Sequence, residues 1–216
     1  MQVSKISNKL YQTCEWIWRL AYVNLLWMFA TLAGLVVFGL LPATVAMFAV
    51  LSKWVMKEPN IPIFPTFIST YKKEFIKVNV LGLIFAVVGY IIYFNHIFLG
   101  TVDGTMHTVL LAGLFCTVFI YLITLFFIFP VYVHYDLKLF QYIKVASVIG
   151  IINPLAMITL VLSLALLYHL FYFIPGLVPF FSVSMTGLVI MWCASTTFSR
   201  IEKKQEKISC KEGSLG

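Results

Sequence analysis

Eight acidic residues, four histidines and four cysteines are the side chains with which this 216-residue chain could do acid–base, metal or thiol chemistry. Their spacing is poorly suited to any of it. No Asp or Glu falls within the long apolar runs, so the buried carboxylate or His–carboxylate relay that an ion-coupled pump needs at mid-depth is missing. His134 and Asp136 stand two residues apart; on a helix that spacing points them to different sides, so they are not read as an acid–base pair or a metal site. His-Glu-x-x-His, Gly-x-x-x-x-Gly-Lys and Gly-x-Ser-x-Gly signatures are absent, and Cys14, Cys116, Cys193 and Cys210 lack the spacing of a disulfide framework or a zinc site. No enzyme, cofactor or metal is expected.

The elements that carry these residues are built for lipid. The chain is 62% hydrophobic and 11% charged, against roughly 25% charged residues in soluble domains. Six apolar runs stand out, at Arg19 to Gly39, Pro42 to Val55, Asn79 to Leu99, His107 to Pro130, Leu155 to Phe173 and Val178 to Phe198. Most match the ~20 residues that cross a ~30 Å hydrocarbon layer. Pro42 to Val55 makes only about 21 Å of helix and falls short. The fifteen Lys and Arg residues fall in four stretches, around 5–19, 53–77, 138–144 and 200–211. Short basic loops resist translocation, so both termini and these stretches are placed in the cytoplasm. The expectation is an all-α polytopic bundle of about six spans, one integral membrane domain over residues 1–216. Its +7 net charge faces anionic lipid in the bilayer rather than nucleic acid, because no compact Arg-rich face exists.

Three stretches are amphipathic. Val3, Ile6, Leu10, Cys14 and Ile17 mark an N-terminal helix over 1–16; Phe64, Phe67, Ile68, Tyr71 and Phe75 mark an interfacial helix over 62–78; a weaker pattern runs from Asp136 to Val148. These stripes suit either the headgroup layer or packing on the bundle. Residues 199–216 form a basic cytoplasmic tail. Among polar residues near the spans, Glu15 precedes Arg19 by four, a helical ion-pair spacing, and Asn24, Asn79 and Asn153 can bridge helices. The turn Phe38 to Pro42 is read as a compact hairpin with Pro42 at the first helical position. Gly39-Leu-Leu-Pro42 is echoed by Gly176-Leu-Val-Pro179, which would fit a parallel repeat of two hairpins.

The stretch Trp16-Ile-Trp-Arg-Leu-Ala-Tyr-Val-Asn-Leu-Leu-Trp27, with Gly39-Leu-Leu-Pro-Ala-Thr44, Lys53-Trp54-Val55 and Ile63 to Lys77, resembles the YesL-type family of small bacterial integral membrane proteins. That resemblance implies a bacterial plasma-membrane protein in a setting of plant-polysaccharide use, such as uptake of pectin or rhamnogalacturonan fragments. It leaves the mechanism open. The amphipathic cytoplasmic stretches, the near absence of an outer domain and the lack of a buried titratable group point to an accessory or regulatory subunit associated with a carbohydrate ABC importer; the alternative is a small facilitator carrying a sugar itself, with homo-oligomers allowed. Within the matched motifs, Arg19, Asn24, Trp27, Gly39, Pro42, Thr44, Lys53 and Trp54 are the candidate structural or functional positions. Asn24 and Thr44 are expected to hydrogen-bond across the hairpin turn, and Lys53 with Trp54 to anchor at the interface.

Overall fold

The structure is a computed structural model that describes the backbone of residues 2–58 and 60–212 and the side chains of residues 10–58 and 60–201. Seven α-helices follow one another: α1 (Gln2–Ala33), α2 (Val37–Val55), α3 (Ile63–Leu99), α4 (Thr105–His134), α5 (Leu139–Ile152), α6 (Pro154–Phe173), a 3-10 turn (Pro175–Leu177) and α7 (Val178–Glu212). No strand occurs among the described residues. Among the described residues, five segments are long and apolar enough to cross a membrane: α2, α3, α4, α6 and Pro175–Ile201. This is the all-α membrane bundle expected, with α1 in place of a sixth fully apolar span.

Two of the three amphipathic pieces are not separate helices. Residues 2–16 run unbroken into α1, and the stretch from Ile63 runs unbroken into the third span, giving α3 37 residues, about 55 Å. The second stripe packs in part on the bundle: Phe67 is fully buried and Ile68 and Tyr71 pack beside it, while Phe64 is exposed. Leu10, Cys14 and Ile17 on α1 stay exposed, while Val3, Ile6 and the side chains of the basic tail lie outside the described residues. The third stripe becomes α5, which packs on α4 through Tyr142, Ala146 and Ile149.

The first hairpin differs from expectation. Its turn is Gly34 to Val36, not Phe38 to Pro42, so Gly39 lies inside α2 and Pro42 at that helix's sixth position. The cause is a close backbone approach. A Cβ on Gly34 would stand 2.3 Å from Gly39 Cα, and one on Gly39 would stand 2.5 Å from the Thr31 carbonyl. Leu35 and Val36 complete the turn at positive φ, 56° and 63°, an arrangement that costs a non-glycine residue energy. The Gly-Leu-x-Pro echo is therefore not a structural repeat: Pro179 sits at the start of α7, where a missing N–H is harmless, and Pro42 does not.

α2 is the centre of the molecule, with 61% of its apolar span buried, against 11% for α3, 11% for α4 and 6% for α6. Its Met47 and Leu51 share a core cluster with Val23 of α1, Phe67 of α3 and Met191 of α7. A second cluster joins α4, α5 and α7 through Ile123, Phe127, Val131, Ala146 and Phe198, and the stacked Phe48 and Phe129 rings, 5.6 Å apart, connect the two.

Candidate functional site

Two polar arrangements interrupt this apolar packing, and the first is a brace around the α1–α2 corner. Pro42 has no N–H to give to the carbonyl four residues back, which is that of Phe38, and in an apolar surrounding such a carbonyl must find another donor. Asn79 on α3 supplies it: Nδ2 donates to Phe38 O at 3.0 Å and to Phe75 O at 2.8 Å. About two turns earlier on α3, the Tyr71 hydroxyl donates to Ala30 O at 3.0 Å. Trp27 Nε1 donates to Thr44 Oγ1 at 3.0 Å, and that hydroxyl donates to Leu40 O at 2.7 Å. Asn24, fully buried, clips α1 to α7 by donating to Pro179 O at 2.8 Å and accepting from the Ser184 N–H at 3.1 Å.

The second arrangement is a cavity of about 560 Å³ at the end of the bundle where the basic stretches meet, lined from α2, α3, α4, α5 and the segment joining the last two. α3 contributes Ser69, Thr70, Lys73, Glu74 and Lys77, three of which recur at one-turn spacing and therefore share a face. Glu74 is the innermost charge, its side chain only 14% exposed. Tyr132 donates to Glu74 Oε2 at 2.6 Å, and Lys73 Nζ lies 3.7 Å from Oε1. α4 ends at His134, whose ring stacks on Phe198 at 4.6 Å. The chain then runs extended through Tyr135 to Lys138, held by the Leu137 N–H donating to the Tyr142 hydroxyl at 3.0 Å and the Lys138 N–H donating to Gln141 Oε1 at 3.2 Å. Tyr132 and Tyr142 stack with centroids 4.6 Å apart and wall the cavity on that side.

His134 and Asp136 consequently line the same cavity. Helical geometry was the wrong basis for separating them, because the helix stops at His134 and Asp136 belongs to the extended segment. Among the described residues no group of three His, Cys, Asp or Glu side chains is gathered closely enough to hold a metal ion.

The candidate positions fall mainly into the brace rather than the cavity. Arg19 is paired with Glu15 at 2.5 Å and lies over the Trp16 ring. Asn24, Trp27, Gly39, Pro42 and Thr44 all belong to the corner or to its clip on α7, but Asn24 and Thr44 do not bond to each other: Thr44 meets Trp27 instead. The expected anchor divides, since Lys53 is exposed whereas Trp54 is a core residue packed edge-on against Trp16 at 5.5 Å. Sequence reasoning missed Glu74, Tyr132 and Tyr142. The one available signal was Glu74, a lone acid in the otherwise basic run Lys72 to Lys77.

Apolar spanning helices, a braced intramembrane corner and a polar cavity at the basic end define a multi-pass α-helical membrane protein. The chain belongs to the family described as "Protein of unknown function, DUF624", whose match covers residues 20–96, from Leu20 on α1 to His96 on α3, including the whole brace on α1–α3 and Glu74. It is similar to three proteins of Bacillus subtilis (strain 168). "Uncharacterized protein YesV" is 39% identical over 207 residues, 94% of this chain and 97% of that protein. "Uncharacterized protein YteU" is 36% identical over 196 residues, 91% of this chain and 88% of that one. "Uncharacterized protein YesL" is 30% identical over 208 residues, 96% and 98%, in keeping with the resemblance read from the sequence. No solved structure matches the chain.

Proposed function

We propose that this protein is a non-enzymatic accessory or regulatory subunit that assembles in the bacterial plasma membrane with an importer of oligosaccharides, of the pectin or rhamnogalacturonan kind. The observation that supports it is the unequal use of its helices: α2 spends its surface on the protein's own core, while only 11%, 11% and 6% of the most apolar stretches of α3, α4 and α6 are buried. Phe94, Phe98, Phe115, Phe119, Leu166 and Tyr172 are among the large side chains on those open faces. Side chains of this size on long helices suit packing against neighbouring membrane helices, where association is driven by van der Waals fit. The setting of carbohydrate uptake comes from the family resemblance.

The test is co-purification. Extracted gently together with a permease encoded beside it, the chain is expected to elute as a stable complex with it. A lone, monodisperse monomer under every extraction condition would overturn the reading. Liposomes containing the chain alone are expected not to take up labelled oligosaccharide; uptake there would make it a carrier instead.

A further inference from the structure

The cavity beside Glu74 has a charge pattern that the accessory role leaves unused. Its lining carries two ammonium groups, Lys73 and Lys77, and two carboxylates, Glu74 and Asp136. Glu74 is enclosed while Lys73 is 79% exposed, and Lys77 and Asp136 are exposed as well, so one negative charge is deep and the mouth carries two positive charges and one negative. An ionised carboxylate offers about four acceptor sites. Glu74 receives one hydrogen bond, from Tyr132, and the Lys73 ammonium at 3.7 Å is beyond hydrogen-bond reach. Among the described residues neither Lys77 nor Asp136 has a salt-bridge partner. A ligand bearing only negative charge would meet two carboxylates, and one bearing only positive charge would meet two lysines. The lining accommodates a ligand that carries both, and the 3.7 Å between Lys73 Nζ and Glu74 Oε1 requires the two charges to be close together.

We propose that this cavity binds a phosphate ester bearing a primary amine, the phosphoethanolamine group, with its ammonium on Glu74 and Asp136 and its phosphate on Lys73 and Lys77 at the mouth. A primary ammonium has three N–H donors, which suits a pocket offering two carboxylates and the Tyr132 and Tyr142 oxygens. A trimethylated amine has none. The basic end of a membrane bundle lies among lipid headgroups, so phosphatidylethanolamine is one source of this group and a soluble phosphoethanolamine ester is the other.

The full-length protein is equilibrated in detergent with equal parts phosphatidylethanolamine, phosphatidylglycerol and phosphatidylcholine, and the retained lipid is counted by native mass spectrometry. Enrichment of the ethanolamine lipid by about fivefold or more over both others is expected, falling to near parity in Glu74→Gln and in Asp136→Asn, with Lys77→Ala lowering retention of that lipid. Thermal unfolding of each variant shows that it is folded, and two carboxylate variants on different elements guard against one that is not. A parallel arm titrates glycerophosphoethanolamine into lipid-depleted protein. Displacement of bound lipid by millimolar ester assigns a soluble source, and retention of the lipid assigns the membrane. Bound lipid that mirrors the bulk mixture in the wild type, together with no binding of the ester, overturns the proposal; so does a preference unchanged in both carboxylate variants.

Discussion

Asn79 shows what a single side chain does in this fold. Proline inside α2 orphans the Phe38 carbonyl, and Asn79 reaches across from α3 to satisfy it. Asn79→Leu is therefore expected to lower stability by about 1 kcal/mol, the scale of interhelical hydrogen bonds in membranes, measured by unfolding in mixed micelles. The mechanism makes a sharper claim than the magnitude. Pro42→Ala restores an N–H four residues after Phe38, so the loss caused by Asn79→Leu is expected to be smaller in the Pro42→Ala background than in the wild type; a strictly additive double mutant would remove Asn79 from this role. Asn24 makes two bonds to the α7 backbone from a fully buried position. Asn24→Leu is expected to cost about 1–2 kcal/mol, since it removes both of these hydrogen bonds.

At the scale of elements, the α1–α2 hairpin and α3 are matched in contact but not in length. The corner touches α3 at Tyr71 and Asn79, and Leu41 beside it packs on Gly82, so the hairpin ends near the middle of a helix that runs from Ile63 to Leu99. The tip itself is apolar and open, with Leu35 at 80% and Val37 at 74% exposure and no polar side chain from Leu32 to Leu41. Its amides bond internally: Gly34 to Ala30, Leu35 to Leu32, Val36 to Thr31 and Leu40 to Val36. A tip of this kind is expected to end inside the hydrocarbon, which demands internal hydrogen bonding of the backbone. With the native cysteines replaced, Leu35→Cys should resist a membrane-impermeant maleimide from both faces while Asp103→Cys reacts from one; labelling of both from the same face would show that the hairpin crosses fully. The existence and order of the helices were legible because long apolar runs and confined charge are properties of composition. The corner was not, since Gly39 and Pro42 are the punctuation a sequence shows, whereas the turn was decided by the contact between Gly34 and Gly39. The cavity was hidden for a related reason: Glu74, Tyr132, Asp136 and Tyr142 come from three elements and the strap between two of them, and no spacing along the chain announces that they meet.

At the scale of the whole molecule, connectivity and charge agree. Lys53 and Lys57 close the α2–α3 junction, Lys138 opens α5 just after α4, and Arg200 falls at the end of the apolar span Pro175–Ile201, whereas the connections Gly100 to Gly104 and Ile174 to Leu177 hold no Lys or Arg and Asp103 alone is charged. Spans that reverse direction from one to the next, with the short α5 counted within the connection between α4 and α6, bring the first set to one end and the second set to the other. The distribution predicts that the end carrying Lys57, and with it the mouth of the Glu74 cavity, faces the cytoplasm, because retaining several lysines on short loops is far less costly than translocating them. Single cysteines at Lys57 and Asp103 in an otherwise cysteine-free chain provide the measurement. In intact cells Asp103→Cys should be labelled by the impermeant reagent and Lys57→Cys only after lysis, and in inside-out vesicles the order should reverse. Labelling of Lys57→Cys from outside intact cells would turn the molecule over. The proposed headgroup ligand would then belong to the outer leaflet, and no subunit on the cytoplasmic side could reach the cavity.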